Sequence, residues 1–405
     1  MLKRVVFRTI VLILLITIIR ARYNISVLAN PKTITVPSPG YETIQKAIDA
    51  ASPEDVIMVT NGIYHENLMV NKTISLIGQN CTTTVVDGGD LKDVVIVNSP
   101  SVTIAGFTIL NGKKELPYCG IRVFGCNFVR VNNVILKNNF FGLQLTQSNN
   151  CTIHNTIIAN NSYAGIKISS SSNNVFFQSI IANNSFGLQS FNSPFNVFYH
   201  NNFINNTISQ VWMDDESTPM TLNNGAEGNY WSDYVGSDLD MDGTGDSRYS
   251  VLFSWDNHPL MGMFTNFTFY YDSQEYFLST ICNSTTSNFK FDKTLGKISF
   301  DVLGSSGTVG FCRISAPKTL IQGNYTILIE GNALTYSRNW TSLTYSYCYF
   351  MYKHIGTAQN VTILLKFPEN TVQPFPIDVI IIITFWSIVA IFAAVILIRR
   401  KKGKF

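Results

Sequence analysis

A doublet of markers repeating every 22 or 23 residues constrains this chain more than any other feature. The segments CGIRVFG, FGLQLTQ, AGIKISS and FGLQSFN align on Gly120, Gly142, Gly165 and Gly187, spaced 22, 23 and 22 residues apart. Asn-Asn pairs beginning at Asn138, Asn160, Asn183 and Asn205 keep the same spacing. Between these marks lie short alternating stretches such as VRVNNVIL and CTIHNTII. A unit of two or three short strands cannot bury its apolar face alone, so units of this length stack. Asparagine suits the turns because it tolerates left-handed backbone. Stacked asparagines can also hydrogen-bond from coil to coil. The Leu pattern and helix of leucine-rich repeats are missing, and a propeller blade needs about twice the length. The expectation is an all-β chain: a right-handed parallel β-helix, followed by a β-sandwich domain and one C-terminal transmembrane helix.

A stack needs ends. YETIQKAIDAA places Ile44, Ala47, Ile48 and Ala51 on one helical face, a lid for the first coil. The strands and turns that follow contain Gly62, Tyr64 and Glu66 as G-x-Y-x-E, and here the chain resembles right-handed β-helix proteins of the pectate-lyase type. The repeats end near Val211. Next comes GAEGNYWSDYVGSDLDMDGTGDSRYSVLFSWDNHPLM, Gly225 to Met261. Its order of Gly228 to Tyr234, an Asp-rich loop, and Asp256 to Leu260 resembles the terminal motif of NosD-like β-helix proteins, a family named for a maturation factor of a copper enzyme. The resemblance runs from about Ile34 to Met261. It implies the fold, and for function it implies carbohydrate-linked or surface roles, or an accessory role in copper-enzyme maturation.

The Asp-rich loop has carboxylates at Asp238, Asp240, Asp242 and Asp246, with Gly243 and Gly245 between them. Carboxylates at the first, third and fifth positions and Gly at the sixth match the front half of an EF-hand loop. The Thr244 carbonyl takes the seventh position and Asp246 the ninth. Tyr249 stands where the twelfth-position Glu belongs, so Asp256 or water must complete a shell. Oxygen donors favour structural calcium over copper; a solvated Asp/Gly turn is the other reading. The five histidines, His65, His154, His200, His258 and His354, are scattered without His-x-His or Met-rich runs, which speaks against direct copper binding.

Catalysis has little to work with. From Leu116 to Met213 there is no Asp or Glu, so the paired acids of glycoside hydrolysis are missing from the central coils. Asp214, Asp215 and Glu216 are the nearest acid cluster, which a polar turn explains better than catalysis does. Arg122, Arg130, Lys137 and Lys167 are the charged groups of these coils. Tyr118, Phe140, Phe141, Tyr163, Phe186 and Phe191 recur near the turns, either as stacking platforms for sugar rings or as packed aromatics. The leading expectation is a non-catalytic carbohydrate- or cell-surface-binding protein. The alternatives are a polysaccharide-active lyase or hydrolase and a NosD-like copper-maturation accessory. Net charge of +3 and 14% charged residues exclude the basic surface of a nucleic-acid binder.

Topogenic signals fix the expected address. Residues 1–23 read as a signal peptide or signal anchor. The β-helix occupies 32–262 with the Asp-rich loop at its end, a sandwich stalk 263–367, and a Pro-rich linker 368–376. Residues 377–398 are long and apolar enough to span a bilayer, and the basic tail 399–405 then lies in the cytoplasm. This makes a single-pass plasma-membrane protein with an extracytoplasmic ectodomain. GTVGFCRISAPKTLIQGNYTILIEG resembles a domain repeated in archaeal cell-surface proteins. Glycosylation candidates are Asn24, Asn71, Asn80, Asn150, Asn160, Asn183, Asn205, Asn266, Asn283, Asn324, Asn339 and Asn360. Of seven cysteines, Cys119 and Cys126 could close a small loop, and at most one pair can form among Cys282, Cys312 and Cys348.

Overall fold

The computed structural model describes residues 30–364 except 272, 321–324 and 335–337. The signal segment, linker, apolar span and basic tail lie outside the described residues. Among those described, no helix is long and apolar enough to cross a membrane.

The chain folds as a parallel β-helix of right-handed type with about eight turns, followed by antiparallel sheets. Three parallel sheets of eight, seven and eight strands form its sides. The first sheet runs from Thr33–Val36 to Val197–Tyr199, the second from Leu68–Val70 to Ser209–Met213, and the third from Gly62–Tyr64 to Tyr230–Trp231. One continuous apolar core, from Ile34 to Trp231, fills the interior.

The repeat markers stand in columns. A Cβ on Gly142 would lie 2.7 Å from the Gly165 carbonyl oxygen, and one on Gly165 would lie 3.0 Å from that of Gly187. Only glycine allows the turn to press against the next rung. The first Asn of each pair takes positive φ: Asn138 58°, Asn160 56°, Asn183 54° and Asn205 50°. The second Asn turns inward. Asn139 donates to Asn161 at 3.1 Å, Asn161 to Asn184 at 3.1 Å, and Asn184 to Asn206 at 3.0 Å, all buried. Asn174 donates to Asn196 at 3.0 Å in a second ladder and Asn201 to Asn229 at 2.9 Å in a third. Each buried amide finds its partner one rung on, so polar turns enter the interior without leaving donors unpaired.

The lid forms where the spacing predicts it. Helix α1 spans Ile44–Ala50, with Ile44, Ala47 and Ile48 fully buried. Glu66 of the G-x-Y-x-E turn accepts from the Ile44 and Gln45 amides at 2.9 Å each. Its charge faces the helix N-terminus, where orphan N–H groups favour an anion.

Beyond the β-helix, ten strands form two five-stranded antiparallel sheets. Phe269, Cys312, Ile314 and Phe350 of one sheet and Phe300, Val302, Val361 and Ile363 of the other share one core. A smaller cluster of Leu260, Phe264, Ile281, Phe311 and Tyr349 joins them to the end of the β-helix. There Asn202 receives the Phe264 amide and donates to the Phe264 carbonyl, both at 2.8 Å.

All seven cysteines are unpaired. The expected Cys119–Cys126 closure is corrected: the strand Cys119–Phe124 separates the two thiols. Five steps at about 3.3 Å each exceed the reach of a disulfide.

Candidate functional site

Three places gather chemistry: the acidic loop, the outer face of the second sheet, and the junction between the β-helix and the antiparallel sheets.

In the acidic loop, carboxylate oxygens of Asp238, Asp240 and Asp242 lie within 4.8 Å of one another. Asp238 accepts from the Asp242 amide at 3.0 Å and the Gly243 amide at 2.9 Å, while Asp242 accepts from the Thr244 amide at 2.7 Å. Gly243 has φ of +88°, which permits this curl. Burial, and then the neighbouring Asp242 and Asp240 charges, push the Asp238 carboxyl above its ordinary value. Oxygen donors of this kind suit a hard cation. The loop also has a protein counter-ion: Arg338 pairs with Asp240 at 2.9 Å and donates to its carbonyl at 2.5 Å. Asp246 instead receives the Leu239 amide at 2.8 Å and closes the loop base.

Asp256 stands apart from this cluster. It is fully buried and accepts from the Asn229 amide at 2.7 Å, the Trp231 indole at 2.9 Å and the His258 amide at 3.0 Å. A Cβ on Gly228 would lie 1.9 Å from its carboxylate. The GNYW and DNHPL segments are therefore the two halves of an end cap, with Asp256 as the anion that ties them. Burial raises its carboxyl, although the three donors oppose that rise.

On the second sheet, cross-strand register aligns Arg122, Gln144, Lys167, Gln189 and Trp212 in an outward row. Beside it Cys119, Phe141 and Ala164 are buried under Phe140, Tyr163 and Phe186. Phe140 and Tyr163 stack at 5.0 Å with planes 3° apart. The Lys167 ammonium sits 4.8 Å from the Phe141 ring and 5.6 Å from that of Phe191. No carboxylate pairs with it among the described residues. Burial lowers its pKa, and Arg122 adds to that effect. Arg122 is clamped by Asp93 at 2.9 and 2.8 Å. Of the sequence candidates, Phe140, Phe141, Tyr163, Phe186, Phe191, Arg122 and Lys167 thus share one face. Asp214 is a turn residue, accepting from the Asn192 amide at 3.0 Å and the Ser217 hydroxyl at 2.5 Å.

At the junction, outward residues of the first sheet form a ring column. His154 and Phe177 stack at 4.8 Å, and Phe177 and Tyr199 at 5.3 Å, with planes 4° and 3° apart. Burial lowers the His154 pKa. His154 and Phe177 of this column form one wall of a cleft of about 520 Å³, faced by Asn266, Thr268, Phe277 and Tyr347 of the antiparallel unit. Such a volume lies in the range of ligand sites. His200 stacks on Phe264 at 4.0 Å and bonds Glu227 at 2.8 Å, while Arg313 meets the other Glu227 oxygen at 2.6 Å. Burial alone would raise Glu227, but Arg313 and His200 hold it well below the usual range. Sequence spacing does not reveal this triad: its members stand 27 and 86 residues apart.

No solvent-reached nucleophile and base pair stands out among the described residues. Ser284 and His354 are 2.6 Å apart, yet both are buried. His65, His154, His200, His258 and His354 do not converge. The three-aspartate loop is the one group of three or more potential metal ligands among the described residues.

A family model described as periplasmic copper-binding protein (NosD) matches residues 27–236. No curated protein matches the chain. Among solved structures, similarity is found to pectin methylesterase PemA from Erwinia chrysanthemi, with 11% identity over 50% of this chain and 91% of that chain and a TM-score of 0.31. Pectin methylesterase from carrot shows 15% identity over 49% of this chain and 70% of that chain, TM-score 0.31. The tailspike gp49 from Acinetobacter baumannii bacteriophage Fri1, a capsular polysaccharide depolymerase, shows 9% identity over 83% of this chain and 85% of that chain, TM-score 0.27.

Proposed function

This chain belongs to the NosD family, and on that premise we propose that it works outside the cytoplasm as a non-catalytic carbohydrate- or cell-surface-binding protein. The supporting observation is Lys167. Its half-buried ammonium lies between two phenylalanine faces with no carboxylate partner, beside the Phe140–Tyr163–Phe186 row. A pyranose presents an apolar face to aromatic rings and hydroxyls to an ammonium and to amides such as Gln189. The acid-free coils favour binding over hydrolysis.

The apolar segment 377–398 would tether the protein to the plasma membrane, with the two-sheet unit as a sandwich stalk. The acidic loop would hold a structural calcium ion through Asp238, Asp240, Asp242 and the Thr244 carbonyl, with Asp246 closing the turn. Asp256 serves the end cap in this reading.

A glycan array probed with the ectodomain tests the proposal. Binding without product release is expected. Lys167→Ala and Tyr163→Ala should each weaken it at least tenfold, about 1.4 kcal/mol. Product formation would support the polysaccharide-enzyme alternative. The family description keeps copper-enzyme maturation as the second alternative, and copper co-purifying with the ectodomain would favour it.

A further inference from the structure

Of the sequons within the described residues, that of Asn266 opens into a cavity. Strand Met263–Tyr271 alternates its side chains, so Phe264, Asn266 and Thr268 point the same way. Phe264 stacks on His200 of the β-helix, which aims that face at the ring column. Asn266 and Thr268, the acceptor and the hydroxyl of one sequon, both line the junction cleft.

The other candidates differ. Asn71, Asn80, Asn150, Asn160, Asn183, Asn205, Asn283 and Asn339 are exposed, and Asn24 and Asn324 lie outside the described residues. Asn360 is half-buried like Asn266, but its amide donates to Asp301 at 2.9 Å. The Asn266 side chain has no hydrogen-bond partner among the described residues. Across the cleft stand the coplanar rings of His154 and Phe177, with the amides of Asn155 and Gln178 beside them.

We infer that Asn266 carries an N-linked glycan whose first sugars fill the junction cleft and join the β-helix to the antiparallel unit. The inference rests on the extracytoplasmic placement proposed above. Attachment is a substitution on a lipid-diphosphate-linked oligosaccharide. The Asn266 amide nitrogen bonds to the anomeric carbon, the bond from that carbon to the phosphate oxygen breaks, the lipid diphosphate departs, and the amide proton passes to a base. The apolar face of a proximal sugar then covers the Phe177 ring beside His154, as aromatic surfaces favour. Its hydroxyls meet the Asn155 and Gln178 side-chain amides, which both donate and accept. A cleft of about 520 Å³ has room for such a ligand.

The test uses full-length protein from its native cells. Glycopeptide mass spectrometry reads occupancy at each sequon, before and after brief exposure of the folded protein to dilute periodate, which cuts accessible vicinal diols. Asn266 is expected to be occupied, with its proximal sugars oxidised at least tenfold more slowly than those on Asn71 or Asn339. The Phe177→Ala variant should keep occupancy and lose the protection. An unmodified Asn266 beside glycosylated Asn71 or Asn339 overturns the inference alone. Equal oxidation at all sites overturns it too. Absence of glycan from every sequon sinks the glycan together with the placement in a glycosylating compartment.

Discussion

The β-helix and the antiparallel unit bury polar groups in opposite ways. In the β-helix, Asn139, Asn161, Asn184 and Asn206 lie inside and pair with their own kind one rung away. In the antiparallel unit, Ser284 bonds Tyr352 at 2.5 Å and His354 at 2.6 Å, and His354 bonds Thr308 at 2.7 Å, a set of unlike partners used once. Repetition solves the pairing problem once and copies the answer, whereas a unique contact must be solved singly. Where the ladders stop, Asn206 turns to Gln210, while Asn229 meets a charge, Asp256, that ties the cap, and nearby Glu227 joins His200 to Arg313.

The largest test of this contrast is at the charged end. Glu227→Ala strands the Arg313 guanidinium, which is only 3% exposed in its side chain. Removing one member of such a buried pair costs about 3–5 kcal/mol, and denaturant unfolding should lose that much, with Glu227→Gln less severe. A loss under about 1 kcal/mol would mean that the junction is wet and the pair incidental. The same pair predicts acid sensitivity. Glu227 has a depressed folded pKa, so its contribution is complete above the unfolded value of about 4.3 and is lost as pH falls through the lower folded value. Melting temperature should drop below about pH 4, and Glu227→Gln should flatten that drop.

Breaking a ladder comes next. Asn184→Ala leaves the Asn161 amide and the Ile158 carbonyl without their partner, at about 2–3 kcal/mol. Because neighbouring rungs share the ladder, Asn161→Ala/Asn184→Ala should cost clearly less than the sum of the single variants in a double-mutant cycle. Strict additivity would show that the rungs act independently.

The smallest effect concerns the acidic loop. Calcium at tenfold its dissociation constant should stabilise by about 1.4 kcal/mol, read as a lower melting temperature on chelation. Asp240→Ala should abolish the response and also release Arg338. A melting curve indifferent to chelator would leave the three aspartates as partners of Arg338 and of their own backbone.

What could be read from the chain follows the same division. Gly120, Gly142, Gly165 and Gly187 and the Asn pairs announced their columns because identical neighbours leave a period. The lid was legible because Ile44, Ala47 and Ile48 keep helical spacing. Asp93 was not, since it clamps Arg122 across 29 residues, longer than one repeat. Asp256 was read as a ligand because its charge lies near the loop in sequence. Its burial depends on the missing side chain of Gly228 and on donors from Asn229 and Trp231, contacts without a period. Phe140, Tyr163 and Lys167 were visible as types, but only register shows that they share a face.

The lid at one end and the Asn229–Trp231 cap at the other touch only the outermost turns, while in the Asn139–Asn161–Asn184–Asn206 ladder each residue meets a copy of itself. A duplicated stretch such as 139–160 could therefore be spliced between two existing turns without disturbing either terminus. Each such insertion would lengthen the protein by about 4.8 Å. The length of the β-helix is in this sense a quantity that recombination can dial in whole units, with the ends inherited unchanged.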